Sequence, residues 1–156
     1  MQLLDPTSLR EPAARVFERE RGRIAAVLPG VVIEHIGATA IPGAWSKGDV
    51  DLLVRALEHE FASALNALRT LYAEHQRENW TPTFASFALG GEPVGVQLVA
   101  VGSEDERVFR DFRDRLIAEP ELVAEYNAVK HRHAACDEDA YRAAKEQFVL
   151  RVLALV

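Results

Sequence analysis

Residues His35–Val54 read HIGATAIPGAWSKGDVDLLV and carry the strongest structural signal in the chain. The stretch passes through two turn signals, at Gly37 and at Pro42-Gly43, and finishes in an apolar run from Leu52 to Val54. Glycine and proline are typical of turns, whereas a short uninterrupted apolar run is typical of a strand buried on both faces. The pattern therefore predicts two strands joined by a segment of small residues.

The flanking sequence predicts further helices and strands. A helix begins near Asp5-Pro6 and ends near Pro29-Gly30, since it starts on a turn signal and carries apolar residues at helical spacing. Ser103 followed by Glu106 fits a capping box, which predicts another helix start there. The remaining predicted elements are strands at Val31–Ile36 and Asp51–Val54, a helix at Glu58–Leu71, an irregular segment at Tyr72–Thr81, a hairpin of Thr83–Leu89 with Pro93–Val101, and helices at Glu104–Ala118, Pro120–Ala135 and Asp139–Val156.

This order of elements predicts an α+β fold. We expect a small mixed β-sheet with helices on one face, followed by a helical C-terminal half. The length of 156 residues favours one domain that spans residues 1–156. The apolar content of 49% and the charged content of 27% are ordinary for a globular chain.

Composition also limits the classes of partner. A net charge of −6 argues against a general nucleic-acid binder, although a small basic pocket for a nucleotide remains compatible with it. No apolar run approaches the ~20 residues of a membrane span, and the N-terminus lacks the basic-then-apolar order of a signal peptide. The only cysteine, Cys136, cannot form an internal disulfide. We therefore expect a cytoplasmic protein without membrane contact.

Asp49 and Asp51 form the first candidate site. Alternate residues of a strand point to the same face, so both carboxylates would project together. Adjacent carboxylates repel each other unless a cation lies between them, and Mg²⁺ with oxygen ligands is the usual one. The D-x-D spacing alone is also common among exposed aspartates, but the preceding glycine turn strengthens the metal interpretation. We predict Asp49 and Asp51 as catalytic residues and Mg²⁺ ligands.

The turn Gly37-Ala38-Thr39 is the candidate phosphate site. Glycine permits close approach, backbone N–H groups can hold a phosphate, and Thr39 adds a hydroxyl. Lys47 would neutralise the bound charge. The alternatives are a plain strand-ending turn and a solvated lysine. His35, at the end of the first strand, is either a general base or a hydrogen-bonded structural residue.

A metal site of this kind generally takes a third carboxylate from a neighbouring strand, and there the chain carries Gln97. Alternation with Val96 and Leu98 would put the Gln97 side chain on the other face of the strand from theirs. An uncharged amide binds Mg²⁺ weakly. Gln97 is therefore either an additional site residue or a solvent-facing strand residue.

Two tyrosine–lysine pairs recur in the helical half. Tyr126 and Lys130 are four residues apart, as are Tyr141 and Lys145, so each pair shares a helix face. Lys130 and Lys145 can present cations to a phosphate, with Tyr126 as a possible additional contact. The alternative is amphipathic packing with solvated charges.

Two separated motifs resemble the GrpB family. The first matches at His35-Ile36-Gly37-Ala38-Thr39-Ala40-Ile41-Pro42-Gly43, Lys47 and Asp51, and the second at Phe112-Arg113-Asp114, Leu116, Pro120, Leu122, Glu125-Tyr126, Lys130, Tyr141, Lys145 and Phe148. The resemblance covers nearly the whole chain and implies a fold like that of the polymerase-β-type nucleotidyltransferases. It implies a nucleotide and a small-molecule acceptor as partners, with Mg²⁺ as the cofactor.

Three positions depart from the family pattern. Ala38 replaces a serine, Leu53 stands where some members continue with a second aspartate, and Gln97 replaces a histidine. Asp49 also lies where other members carry an apolar residue. The first hypothesis is a nucleotidyltransferase-like enzyme that binds an NTP with Mg²⁺ and transfers a nucleotidyl group to a small acceptor. The alternative is a catalytically degraded module of the same fold that binds a nucleotide, an anion or a protein.

Overall fold

The structure, a computed structural model, describes residues 1–154, and strands and helices are interspersed along that part of the chain. The helices are α1 (Pro6–Val27), α2 (Phe61–Arg69), α3 (Glu104–Ala118), α4 (Pro120–His133) and α5 (Glu138–Ala154), and the strands are β1 (Val32–Ile36), β2 (Val50–Ala56), β3 (Ala73–His75), β4 (Phe84–Ala88) and β5 (Val94–Ala100). Short 3-10 turns lie at Ala38–Ala40, Glu58–Glu60 and Arg77–Asn79.

The five strands that the structure describes form one mixed sheet in the order β1-β2-β5-β4-β3. β2 and β5 run parallel, and the other neighbouring strands pair antiparallel. In the register of β2, Asp51 lies opposite Ile36 on one side and Gly95 on the other. The predicted α+β class with a small mixed sheet is thus confirmed.

The apolar run of β2 is buried on both faces of the sheet, as its sequence predicts. Leu52 and Val54 face a core shared with α1 and α2, while Leu53 faces the other side with Ile36 and Phe109 of α3. Helices therefore cover both faces: α1 and α2 lie on one, and the helical C-terminal half begins on the other. A strand with no polar alternation requires apolar cover on each side.

The C-terminal helices form a second core that reaches back to the turn segment after β1. Leu116, Tyr126 and Phe148 come from α3, α4 and α5, and they pack with Ile41 and Ala44 of that segment. The aromatic rings of Tyr126 and Phe148 stack with their centroids 5.0 Å apart. This packing brings α4 and α5 against the segment that connects β1 to β2.

The helix starts follow the capping signals in the sequence. Asp5 Oδ1 accepts a hydrogen bond of 2.7 Å from the Thr7 amide, and Ser103 Oγ accepts one of 3.2 Å from the Glu106 amide. The last predicted helix, Asp139–Val156, corresponds to α5, and its final two residues lie outside the described part of the chain. Among residues 1–154, no helix combines the length and apolar character that crossing a membrane requires.

One prediction of local structure is wrong. The segment Tyr72–Thr81 was expected to be irregular, but it contains β3 and the 3-10 turn Arg77–Asn79. All three residues of β3 are exposed, so the strand has no buried face and no apolar alternation to reveal it. It forms because β4 offers it a free edge.

Candidate functional site

A pocket of about 100 Å³ lies between the sheet and the helices α4 and α5. One wall comes from the segment between β1 and β2 together with the first residues of β2. The other wall comes from the two tyrosine–lysine pairs. Its lining residues are Gly37, Ala38, Ser46, Lys47, Asp49, Asp51, Tyr126, Lys130, Tyr141 and Lys145. The fold therefore brings together residues from two motifs that lie about eighty residues apart in sequence.

The Asp51 carboxylate occupies a space that two glycines leave open. A Cβ atom placed on Gly37 would lie 2.7 Å from Asp51 Oδ2, and one placed on Gly95 would lie 2.5 Å from Asp51 Oδ1. Real Cβ atoms do not approach an oxygen so closely, so any side chain at either position would displace the carboxylate. Gly37 is constrained further by its positive φ of 77°, which other residues rarely adopt.

Burial and a like charge dominate the electrostatics of Asp51. Burial, followed by repulsion from Asp49, raises the pKa of the Asp51 carboxyl from 3.8 to about 6. Lys145, a hydrogen bond from Gln97 and Lys47 act in the opposite direction and lower this pKa. A positive ligand between the two carboxylates would relieve the repulsion.

Asp49 lies just before β2 and is the more exposed of the two carboxylates. Its Oδ2 is 3.3 Å from Lys47 Nζ, and 41% of its side chain is accessible to solvent. Lys47 is likewise 45% exposed, so both groups can reorganise when a ligand enters. Asp49 and Lys47 thus form the solvent-facing rim of the pocket.

Lys130 is a buried cation in the opposite wall. Only 1% of the residue is exposed, and its ammonium donates a hydrogen bond to the Trp45 carbonyl and lies 4.0 Å from the centroid of the Tyr126 ring. Burial, with a smaller contribution from the charge of Lys145, lowers its pKa to about 7. The surroundings of Lys130 therefore disfavour its charged form.

Lys145 lies nearer the two aspartates. Its Nζ is 5.4 Å from the centroid of the Tyr141 ring. Burial lowers the pKa of Lys145, while the charges of Asp51 and Asp49 oppose that shift. Lys145 is therefore the cation that faces the acidic pair from the helical side.

His35 and Thr39 do not line this pocket, although both were predicted as site residues. The Thr39 hydroxyl donates to the Asp49 carbonyl at 3.0 Å and lies 2.9 Å from His35 Nε2. Because the hydroxyl has one proton and gives it to Asp49, His35 Nε2 must be the donor in the second bond. Burial, then the charge of Arg113, lowers the pKa of His35 to about 4, so the ring is neutral and holds the turn.

Gln97 lies on the same face of the sheet as Asp51. It pairs with Leu53 in the register between β2 and β5, and its side-chain amide lowers the pKa of the neighbouring Asp51 carboxyl.

Two lining residues, Ser46 and Tyr141, were not among the predicted site residues. The spacing of Tyr141 and Lys145, which repeats that of Tyr126 and Lys130, was a usable signal for the tyrosine. Nothing in the local sequence distinguishes Ser46.

The donor atoms of the pocket fit a magnesium ion that shares its coordination with a substrate. Mg²⁺ is commonly held by one or two carboxylates and completes its shell with water and substrate phosphate oxygens. Asp49 and Asp51 can supply those carboxylates. Across residues 1–154, no group of three or more histidine, cysteine or acidic side chains converges to hold a metal by itself.

Comparison with known proteins gives the family. The family model described as "GrpB protein" matches residues 10–154. The chain belongs to the GrpB family. A UPF0157 protein of Vibrio cholerae is 38% identical over 155 residues, which cover 98% of this chain and 82% of the relative.

Solved structures agree with the GrpB assignment and show the fold. The crystal structure of GrpB from Enterococcus faecalis has a TM-score of 0.70 at 17% identity, covering 96% of this chain and 98% of that one. Cid1, an RNA terminal uridylyl transferase, matches with a TM-score of 0.55 at 13% identity, covering 80% of this chain and 40% of Cid1. The GrpB chain therefore shares its fold with part of this RNA terminal uridylyl transferase.

Proposed function

We propose that this protein is a metal-dependent nucleotidyltransferase-like enzyme, which binds an NTP with Mg²⁺ and transfers a nucleotidyl group to a small acceptor. The observation that carries the proposal is the position of the Asp51 carboxylate, which lies in the gap between Gly37 and Gly95 with Asp49 and Lys145 nearby. A partly buried carboxylate that faces a second carboxylate costs stability, and such a strongly shifted group in a pocket favours a functional role.

Each wall of the pocket has a role in this proposal. Asp49 and Asp51 would hold Mg²⁺, which neutralises phosphate charge when bound. The backbone of Gly37 and Ala38 would face the bound phosphate across the pocket that both residues line, and Lys47, Lys130 and Lys145 would supply positive charge. In the reaction, an acceptor oxygen bonds to the α-phosphorus, the bond from that phosphorus to pyrophosphate breaks, and the acceptor's proton passes to water.

The test is thermal unfolding with ATP, GTP, CTP or UTP, each with and without Mg²⁺. A nucleotide at about 100 times its Kd adds roughly 2.7 kcal/mol, which corresponds to several degrees in a domain of this size. We expect Asp51→Asn to abolish the Mg²⁺-dependent shift. Asp111→Asn, which removes only a surface contact to Arg107, is the matched control. An unchanged shift in Asp51→Asn would refute the proposed role of Asp51.

A specific observation favours a second candidate function, an anion-binding module without catalysis. Gln97, which cannot act as a third carboxylate, lies with Asp51 beside Gly95. In that case saturable binding would occur without release of pyrophosphate. A coupled pyrophosphate assay over a panel of small hydroxyl and amine acceptors separates the two functions.

A further inference from the structure

Two buried tyrosines in the pocket carry hydroxyl groups that the protein itself does not use. Tyr126 is 4% exposed and Tyr141 is 6% exposed, and neither hydroxyl hydrogen-bonds to another residue of the described chain. Within residues 1–154, however, no buried polar side-chain atom is both sealed from solvent and without a partner. Solvent therefore reaches each hydroxyl, and both tyrosines line the pocket.

Both tyrosines line the same pocket as the acidic pair. The charge of Asp51 contributes to the raised pKa of Tyr126, and the charge of Asp49 contributes to the raised pKa of Tyr141, after burial in each case. A third buried hydroxyl lies in the same pocket: Ser46 is 5% exposed, and its Oγ accepts a hydrogen bond of 3.0 Å from the Gly48 amide. Its own proton remains free to donate.

We infer that Tyr126, Tyr141 and Ser46 bind the terminal phosphate of the substrate through their hydroxyl groups. This inference deepens the proposed function, on which it rests for the identity of the site. Three hydroxyl donors and the nearby lysines suit a compact anion with several acceptor oxygens. Beside the two carboxylates, the bound phosphate would carry a protonated oxygen or share a cation with them.

The volume of the pocket defines which part of the substrate enters. Pockets for drug-sized ligands measure roughly 300–1,000 Å³. The pocket measures about 100 Å³, which is well below that range. That space accepts the phosphate end of a nucleotide and leaves the base outside. The substrate class is thus a phosphate anhydride that enters the pocket by its phosphate end.

The test is a ³¹P NMR titration of inorganic phosphate with EDTA present, so that no divalent cation contributes. We expect saturable binding by the wild-type protein, weakened about tenfold by Tyr126→Phe and again by Tyr141→Phe, since a hydrogen bond to a charged group contributes that much. Tyr72→Phe is the matched control, because it removes the remaining tyrosine hydroxyl. That hydroxyl donates a hydrogen bond of 2.8 Å to Glu20, and neither residue lines the pocket. That variant should bind phosphate as the wild type does.

Three results would overturn the inference. They are a wild-type protein that does not bind phosphate, a Tyr126→Phe/Tyr141→Phe double variant that binds it normally, and equal affinity for dimethyl phosphate, whose blocked oxygens make it an internal rather than a terminal phosphate. Asp51→Asn separates this inference from the proposed function. It should bind phosphate at least as tightly as the wild type, because it removes a negative charge. If phosphate binding follows the tyrosines but no nucleotide shows a Mg²⁺-dependent effect, only the proposed function fails.

Discussion

Asp51 is a residue that the fold accommodates at a cost. Its folded pKa of about 6 lies above the unfolded value of 3.8, so the folded chain holds the proton more tightly than the unfolded chain does. Stability therefore falls as pH rises through this range, and the ionised carboxylate destabilises the protein above it. Below the unfolded pKa the residue is neutral in both states and the penalty disappears.

This fall in stability with rising pH gives a prediction for Asp51→Asn. In EDTA at pH 7.5 to 8, the variant should be more stable than the wild type, by on the order of 1–3 kcal/mol, because it removes an ionised group that the pocket disfavours. The difference should shrink as pH falls from about 6 to about 4. Urea denaturation across that pH range measures it.

The opposite change in stability would contradict this prediction. If Asp51→Asn is less stable at pH 8 than the wild type, the carboxylate has net stabilising contacts and its neighbours compensate for burial. Asp111→Asn again serves as the control, since its carboxylate is partly exposed beside Arg107 and no comparable gain should follow.

At the scale of elements, the turn between β1 and β2 is fixed by a chain of hydrogen bonds. His35 stacks on Phe17 with ring centroids 5.0 Å apart, donates to the Thr39 hydroxyl, and Thr39 donates to the Asp49 carbonyl. Arg113 of α3 also donates to the His35 carbonyl at 3.2 Å. These contacts tie the turn to α1 and α3, and they hold the backbone that carries Asp49.

We therefore expect Thr39→Val to destabilise the protein by about 1–3 kcal/mol, because it leaves a partly buried carbonyl and the His35 N–H without a partner. Thr39→Ser keeps the hydroxyl and should retain most of the stability. Urea denaturation of the pair measures the difference. Equal stability of the two variants would show that the hydroxyl is dispensable for the turn.

The elements themselves could be predicted almost entirely from the sequence. The strand bounds differ from prediction by at most two residues, and α3 begins at the residue after the predicted cap. These elements have strong local signals: an apolar run, a capping box, or a glycine pair between two strands. β3 was missed because its three residues have no buried face.

The candidate site could be predicted less completely, since it depends on contacts between distant segments. The acidic pair, Gly37 and the lysines carry recognisable motifs, and they do converge on one pocket. The role of Gly95 was not predictable, because it follows from the parallel register that sets it opposite Asp51. The Gln97 contact depends on the same register, and Thr39 was misplaced because its hydroxyl is already used within the turn.

At the scale of the whole molecule, the pocket exists only while the sheet and the C-terminal helices remain together. Asn127 of α4 joins them through the segment before β2: its Oδ1 accepts from the Trp45 amide and its Nδ2 donates to the Gly43 carbonyl, both at 2.9 Å. Lys130, one turn later, donates to the Trp45 carbonyl. The helix that presents Tyr126 is thereby locked to the segment that presents Ser46 and Lys47.

Asn127→Ala tests this connection between the two halves. We expect a loss of about 1–3 kcal/mol in unfolding free energy, because two backbone groups lose their partner, together with weaker phosphate binding, because the walls of the pocket separate. Asn66→Ala is the matched control, since Asn66 is exposed and accepts a hydrogen bond only from Arg69 in α2. Urea denaturation and the ³¹P NMR titration measure the two effects. If Asn127→Ala lowers stability but phosphate affinity stays at the wild-type value, the pocket is held by Lys130 and the aromatic packing of α4 with α5 instead.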